Sequence, residues 1–303
     1  MIPDFVALCT ATYAVIDDLY QAYLDHLPGP RGRCSDSEII ALTLVAELVG
    51  LDEEVAFLAY LRRNHPTLFP SLQGAAATTA AAAPCRRPRG PCGVAAPGVG
   101  GPARRPARPV RDRLAARARR RRGHACGRHP WRGHAAYGYN ATKKQALYGF
   151  KLHLLATHSG LILDYALVPA NIVGGDLSAQ LLQDQANLTV LGDKAYLNAA
   201  LQERLRHPCP GPRNAVDLLA PTKANARTPM SAPLVRLIAH FRQAIETLNS
   251  QLAGQFNVQR NRAKCLSGLR ARVQAKLTAH TLGIALNQQA GLPLLALKAL
   301  ALI

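Results

Sequence analysis

The sequence has no apolar run of the ~18 residues that a helix needs to cross a bilayer. Its most apolar end, Leu294–Ile303, is too short and is interrupted by Lys298. The first residues, Met1-Ile2-Pro3-Asp4, lack the basic region and apolar stretch of a secretory leader. Cysteine is sparse and scattered, at 9, 34, 85, 92, 126, 209 and 265, with no CxxC pair. That pattern gives no zinc site and no disulfide framework, and it suits a reducing compartment. Together these absences predict a cytoplasmic protein without a membrane anchor. Acids are scarce too, 18 Asp and Glu against 37 Lys and Arg, and none follows Glu246.

What is present is a chain of 303 residues, 49% apolar, long enough for a substantial core in one or two domains. A formal charge of +19 and a pI near 10.2 point to a polyanionic partner, nucleic acid first. The charge is uneven: −6 over residues 1–73, +14 over 74–136, +4 over 137–246 and +7 over 247–303. Most of the excess lies in one segment, so the C-terminal +7 is the sounder sign of a nucleic-acid surface.

Residues 1–72 read as a helical module. Phe5, Leu8, Tyr13, Ile16, Leu19, Tyr20 and Tyr23 recur at helical spacing, and Pro28-Gly29-Pro30 stops the pattern. Ser35 and Glu38 have the capping-box form, and Gly50 suits a helix stop. A third helix is predicted over about 52–64, ahead of Pro66. Three short-linked helices fit either a DNA-reading helix-turn-helix or a bundle that packs on the rest of the protein. The net −6 favours the bundle.

Residues 74–136 break every pattern. These 63 residues include 17 Ala, 15 Arg, 9 Gly and 8 Pro, and no Lys, Ile, Phe, Met, Asn or Glu. Such a segment buries too little apolar surface to offset its ordering entropy. It reads either as a disordered Arg-rich arm for DNA phosphates or as GC-rich DNA translated in the wrong frame.

From Tyr137 regular patterning returns. Leu147–Thr157 and Leu161–Val168 alternate as strands around His158-Ser159-Gly160, which predicts a hairpin. A helix over 176–187, a strand at 188–191, a helix over 197–206 and a short strand at 215–220 follow. Helices over 234–253 and 266–289 complete a mixed α/β layer.

Two stretches carry chemistry. The strand Leu188-Thr189-Val190-Leu191 ends in Gly192 and then Asp193. Ligands of open α/β sheets bind beyond the carboxyl ends of strands, so Asp193 stands where a metal or substrate is met. The plainer alternative is a helix cap or turn. The second stretch is helical, Arg242-Gln243-Ala244-Ile245-Glu246-Thr247-Leu248-Asn249. There Arg242 can pair with Glu246 four residues on, in the weaker order of charges.

In this order and spacing, Gly192-Asp193-Lys194-Ala195-Tyr196 and Arg242–Gln251 resemble the second and third catalytic blocks of bacterial insertion-sequence transposases of the DDE type. The resemblance covers roughly 1–72 and 137–290. Residues 73–136 do not resemble the family and read by composition as a disordered or frameshifted insert. The resemblance implies a ribonuclease-H-like layer over 137–303 and a helical N-terminal module. It implies metal-dependent cleavage and transfer of double-stranded DNA at element ends and target, by a homo-oligomer associated with the nucleoid. Asp193 and Glu246 match two of the family's three metal-binding carboxylates, with Mg²⁺ or Mn²⁺ as cofactor. The Tyr and Lys of a related signature are replaced by Ala239 and Ala253. The first carboxylate has no counterpart, since Asp112 stands in the wrong context.

A frame error would account for that gap. Val110–Ala116 can be encoded as GTG CGT GAT CGA CTC GCT GCC. Read from the second nucleotide, this gives Cys-Val-Ile-Asp-Ser-Leu-Pro, which resembles the family's first block. The alternatives for this chain are an inactive transposase copy, a non-catalytic DNA-binding relic, or an Arg-rich structural binder.

Two carboxylates on rigid elements suit a hard cation. Arg260, Arg262, Lys264, Arg270, Arg272 and Lys276, with no acid among them, read as phosphate contacts or as a solvated helix face. Lys194, Arg242, Lys143 and Lys144 are further backbone-contact candidates. Asp176 reads as a helix cap.

Overall fold

The computed structural model describes residues 4–23, 34–51, 53–70, 131, 133–140, 144–172, 181–182, 188–192, 216–219, 230–261 and 263–300. Three helices open the chain: α1 (Phe5–Tyr23), α2 (Asp36–Val49) and α3 (Glu54–Asn64). Asp4 Oδ1 accepts the Ala7 amide at 2.7 Å at the start of α1. The capping box of α2 forms as the sequence predicts. Ser35 Oγ accepts from the Glu38 amide at 3.1 Å, and Glu38 Oε2 accepts from the Ser35 amide at 2.8 Å. Gly50 takes φ 79°, a left-handed stop that directs its amide to the last carbonyls of α2.

The strands are β1 (Ala136–Asn140), β2 (Gln145–Ala156) and β3 (Ile162–Pro169), then β4 (Thr189–Leu191) and β5 (Asp217–Leu219). β2 pairs antiparallel with both β1 and β3, the latter from Phe150↔Pro169 to Leu155↔Asp164. The β2–β3 turn is closed by the Thr157 amide on the Leu161 carbonyl at 2.8 Å, with Gly160 at φ 89°. β4 and β5 pair in parallel. Antiparallel and parallel ladders together make the fold mixed α/β, as the strand order suggests. The helices expected over 176–187 and 197–206 lie outside the described residues, apart from Leu181 and Leu182. So does everything expected of 71–130.

Two long helices follow, α4 (Ala232–Gly254) and α5 (Leu266–Gln289), before a 3-10 turn at Leu297–Leu300. α5 is the axis of packing. Leu269, Val273, Leu277, Leu282, Ile284 and Leu286 join one buried cluster with Leu248, Leu252 and Phe256. The same cluster takes Leu8 and Ile16 from α1, Leu44 and Leu48 from α2, and Leu297 and Leu300 from the terminal turn. Phe150, Leu152, Leu154 and Ala156 of β2 pack against it from the sheet. The N-terminal helices are therefore a bundle seated on the C-terminal helix, sharing its core. Trp131 also joins, its ring 5.9 Å from that of Phe150 and nearly perpendicular. The described chain thus resumes six residues ahead of Tyr137.

The long axis of α5 is buried over its second half, so its polar side chains need partners. His280 Nε2 lies 3.0 Å from Gln251 Oε1, and Gln251 Nε2 donates to the Leu295 carbonyl at 2.6 Å. The amide's donor is taken, so Gln251 Oε1 accepts and His280 Nε2 carries the proton. His280 Nδ1 has no hydrogen-bond partner. A second proton there would be buried without an acceptor, and burial lowers the His280 pKa from 6.5 to about 4.

Two outcomes follow from this core. Leu48 is fully buried, so Leu48→Ala is expected to cost about 2–5 kcal/mol. Trp131 is the sole tryptophan of the chain. Its fluorescence and the far-UV circular dichroism should shift to lower urea together, and separate transitions would contradict a shared core. The second outcome is a pH dependence. The unfolded His280 binds a proton below its ordinary value near 6.5, and the folded one only near 4. Stability is therefore present in full above pH ~6.5 and falls by about 3 kcal/mol as pH drops to ~4. Replacing His280 by Gln should remove that component from unfolding curves measured across this window.

Candidate active site

β4 ends at Leu191, and the Gly192 amide donates to the Leu219 carbonyl at 2.8 Å, extending the parallel ladder by one bond. The chain passes next to Asp193 and Lys194, which lie outside the described residues, as do Arg262, Asp112 and Asp176. β4 packs beneath this point on a small apolar cluster. Leu182, Val216 and Leu218 are buried there, with Leu155 of β2 and Val190 packed against them. Leu155 thereby links the β4–β5 ladder to the antiparallel sheet.

Glu246 stands on α4. Leu248 and Leu252, two and six residues on, are buried and seat this part of the helix in the core. At 100° per residue Glu246 falls on the outer face, and its side chain is 70% exposed. Arg242 Nη2 approaches Glu246 Oε1 at 3.8 Å, with the arginine side chain 51% exposed. The pair anticipated from the sequence thus exists, but at that length and exposure it contributes little. The carboxylate stays accessible to a cation. Among the described residues no three His, Cys, Asp or Glu side chains gather as a metal site.

The basic residues of the C-terminal part divide into two kinds. Arg260, Lys264 and Arg270 are exposed, in the loop before α5 and in its first turn or so. Lys276 is not available to DNA, contrary to its reading as a phosphate contact. Its Nζ donates to Glu47 Oε2 at 2.5 Å, and the two side chains are 3% and 11% exposed. The physical reason is helical phase: Leu269, Val273, Lys276 and His280 fall on one stripe that faces the core. Arg272 is half-buried; burial raises the Glu54 carboxyl pKa, and the Arg272 guanidinium offsets that rise only in part. Both cations thus meet acids of the N-terminal bundle.

Residues that the sequence reading passed over also hold the region together. Lys151 Nζ donates to the Ile172 carbonyl at 3.2 Å, fixing the chain just after β3. His153, two residues on and on the same face of β2, has its pKa lowered by burial and by Lys151. Their alternation with Phe150, Leu152 and Leu154 was the available signal.

The family described as Transposase DDE domain matches residues 116–282, more than half of the chain. The chain belongs to the DDE transposase family. The match begins within the segment that the sequence reading set apart, and it takes in β1 to β5, α4 and most of α5. Searches of curated proteins and of solved structures found no match. No helix among the described residues is long and apolar enough to cross a membrane.

The division of the cations gives a measurable outcome. Replacing Arg260, Lys264 and Arg270 by Ala should flatten the log–log salt dependence of DNA binding by roughly 2.7, at ~0.9 per phosphate contact. Lys276→Ala should leave that slope unchanged and instead destabilise the fold by about 3–5 kcal/mol, because it leaves a buried charge unpaired.

Proposed function

We propose that this chain is a transposase polypeptide for metal-dependent cleavage and transfer of double-stranded DNA at insertion-sequence ends. In this reading it acts in a bacterial cytoplasm, at the nucleoid, as a homo-oligomer with a ribonuclease-H-like catalytic layer. The observation that carries the reading is the family match over residues 116–282, a span that includes Asp193 and Glu246. Asp193 follows the carboxyl end of a parallel strand, and Glu246 is an accessible carboxylate on a firmly seated helix.

Two carboxylates are hard oxygen donors that suit Mg²⁺ or Mn²⁺. Bound there, such an ion would stabilise charge on the phosphate oxygens of an in-line displacement. Asp193 and Glu246 would hold it. Arg242 would steady Glu246, and Arg260, Lys264 and Arg270 would grip backbone phosphates. Lys194 and Arg262 belong to the same proposed surface, with Arg272 at its rim.

The missing first carboxylate favours a second reading for this copy, a DNA-binding relic that no longer cleaves. Mg²⁺ gives up water reluctantly and binds weakly where protein ligands are few. Strand cleavage on the element's own ends decides between the two. The chain as written is expected neither to nick nor to join DNA in Mg²⁺. A version carrying the restored Cys-Val-Ile-Asp-Ser-Leu-Pro block and in-frame flanks should do both, and lose both with Asp193→Ala. Mg²⁺-dependent cleavage by the unrepaired chain, abolished by Asp193→Ala, would show that two carboxylates suffice.

A further inference from the structure

The seat of the N-terminal bundle on α5 has the make-up of a subunit interface, although both sides belong to one chain. At its centre lies the Lys276–Glu47 ion pair, 3% and 11% exposed. Apolar side chains of the same two helices share one buried cluster: Leu44 and Leu48 on α2, and Val273, Leu277 and Ile284 on α5. Gly283 allows the close approach. A Cβ there would meet Leu297 Cδ2 at 2.9 Å and Leu48 Cδ2 at 3.1 Å, so α2, α5 and the terminal turn meet at this point. Arg272 acts on Glu54 at the rim. The charge balance is complementary, −6 over residues 1–73 against +7 over 247–303. In sequence the two partners are separated by residues 71–265, which include strands β1 to β5 and α4.

We infer that residues 4–70 form a docking module whose attachment to α5 needs no covalent link, and that the Glu47–Lys276 pair is its key. Apolar surfaces are undirected and tolerate a slip of one helical turn. A buried ammonium does not, because every other register leaves it, and a carboxylate, buried without a partner. The pair therefore selects one register and one partner. The partner it fits is this chain's own acidic bundle, residues 4–70, which presents Glu47 to it.

The test uses the full chain with a protease recognition sequence inserted between residues 74 and 130. The folded protein is cut, and the pieces are followed by size-exclusion chromatography. Exchange between isotope-labelled and unlabelled cut protein then gives the dissociation rate. The pieces of the unsubstituted protein are expected to co-elute. Glu47→Gln should speed their dissociation on the order of 100-fold, and Glu47→Lys should separate them. The reversed pair, Glu47→Lys with Lys276→Glu, should dissociate about tenfold more slowly than either single variant. If the unsubstituted pieces part on cutting, the linker holds the module and the inference fails. If Glu47→Lys stays associated, or the reversed pair shows no recovery, the apolar surface alone is responsible and the key is refuted. None of these readouts depends on DNA cleavage, so the inference stands or falls apart from the proposed activity.

Discussion

A helix with one face buried must partner most of the polar side chains on that face, and α5 meets this constraint with a different neighbour each time. Lys276 reaches Glu47 on α2, and His280 reaches Gln251 on α4. Asn287 Nδ2 donates to the carbonyls of Pro293 and Leu294, at 3.3 and 3.1 Å, in the segment leading to the terminal turn. Nearer the solvent, the Tyr165 hydroxyl on β3 donates to Gln274 Oε1 at 3.2 Å. Hydrophobic burial supplies most of the attraction, but it is undirected. The four polar side chains orient α2, α4, the terminal segment and the sheet about one axis. Leaving any of the buried ones unpaired costs more than the bond itself contributes.

This arrangement explains where the basic charge of the C-terminal part is available. In the loop before α5 and on the outer face of its first turns, Arg260, Lys264 and Arg270 face water. Less than two turns beyond Arg270, at Lys276, the helix face is enclosed, and a cation there is tolerable only beside a buried acid. The acidic bundle supplies that acid. The negative charge of residues 1–73 and the positive charge of 247–303 are thus partly two halves of one interface. Net charge by segment measures the polyanion-binding surface poorly when segments neutralise one another on folding.

Local features were legible in the sequence. The capping box at Ser35 and Glu38, the glycine stop at Gly50, the β2–β3 hairpin and the span of α5 all depend on residues close together in the chain. The role of Lys276 was not, because charge argued outward while periodicity argued inward. Counting from Leu269 and Val273 by helical steps lands on Lys276 and then His280, so the stripe was visible, but nothing in the sequence named Glu47 as the partner 229 residues away. Trp131 was hidden differently, as a lone aromatic within a segment otherwise too poor in apolar residues to suggest packing. For the candidate site, the element that carries Glu246 was legible and its exposure was not.

That exposure follows from how α4 is held. Along its first half Ile238 is buried, while Val235, Leu237 and Ile245 keep substantial exposed surface. Leu248 and Leu252 then bury fully, and Gln251 ties the helix to His280 and Leu295. Glu246 sits at the junction between the lightly held half and the clamped half. The metal-binding role proposed for Glu246 needs both conditions: a backbone fixed by packing and a side chain left outside the core where a hard cation and its waters can reach it. The clamp two residues later provides the first, and the outward phase of the helix provides the second. The polar keying of α5 therefore bears on the chemistry indirectly. By fixing Gln251 it fixes the turn of α4 from which Glu246 projects, and a disturbance at His280 would reach the carboxylate through one helical turn of rigid backbone.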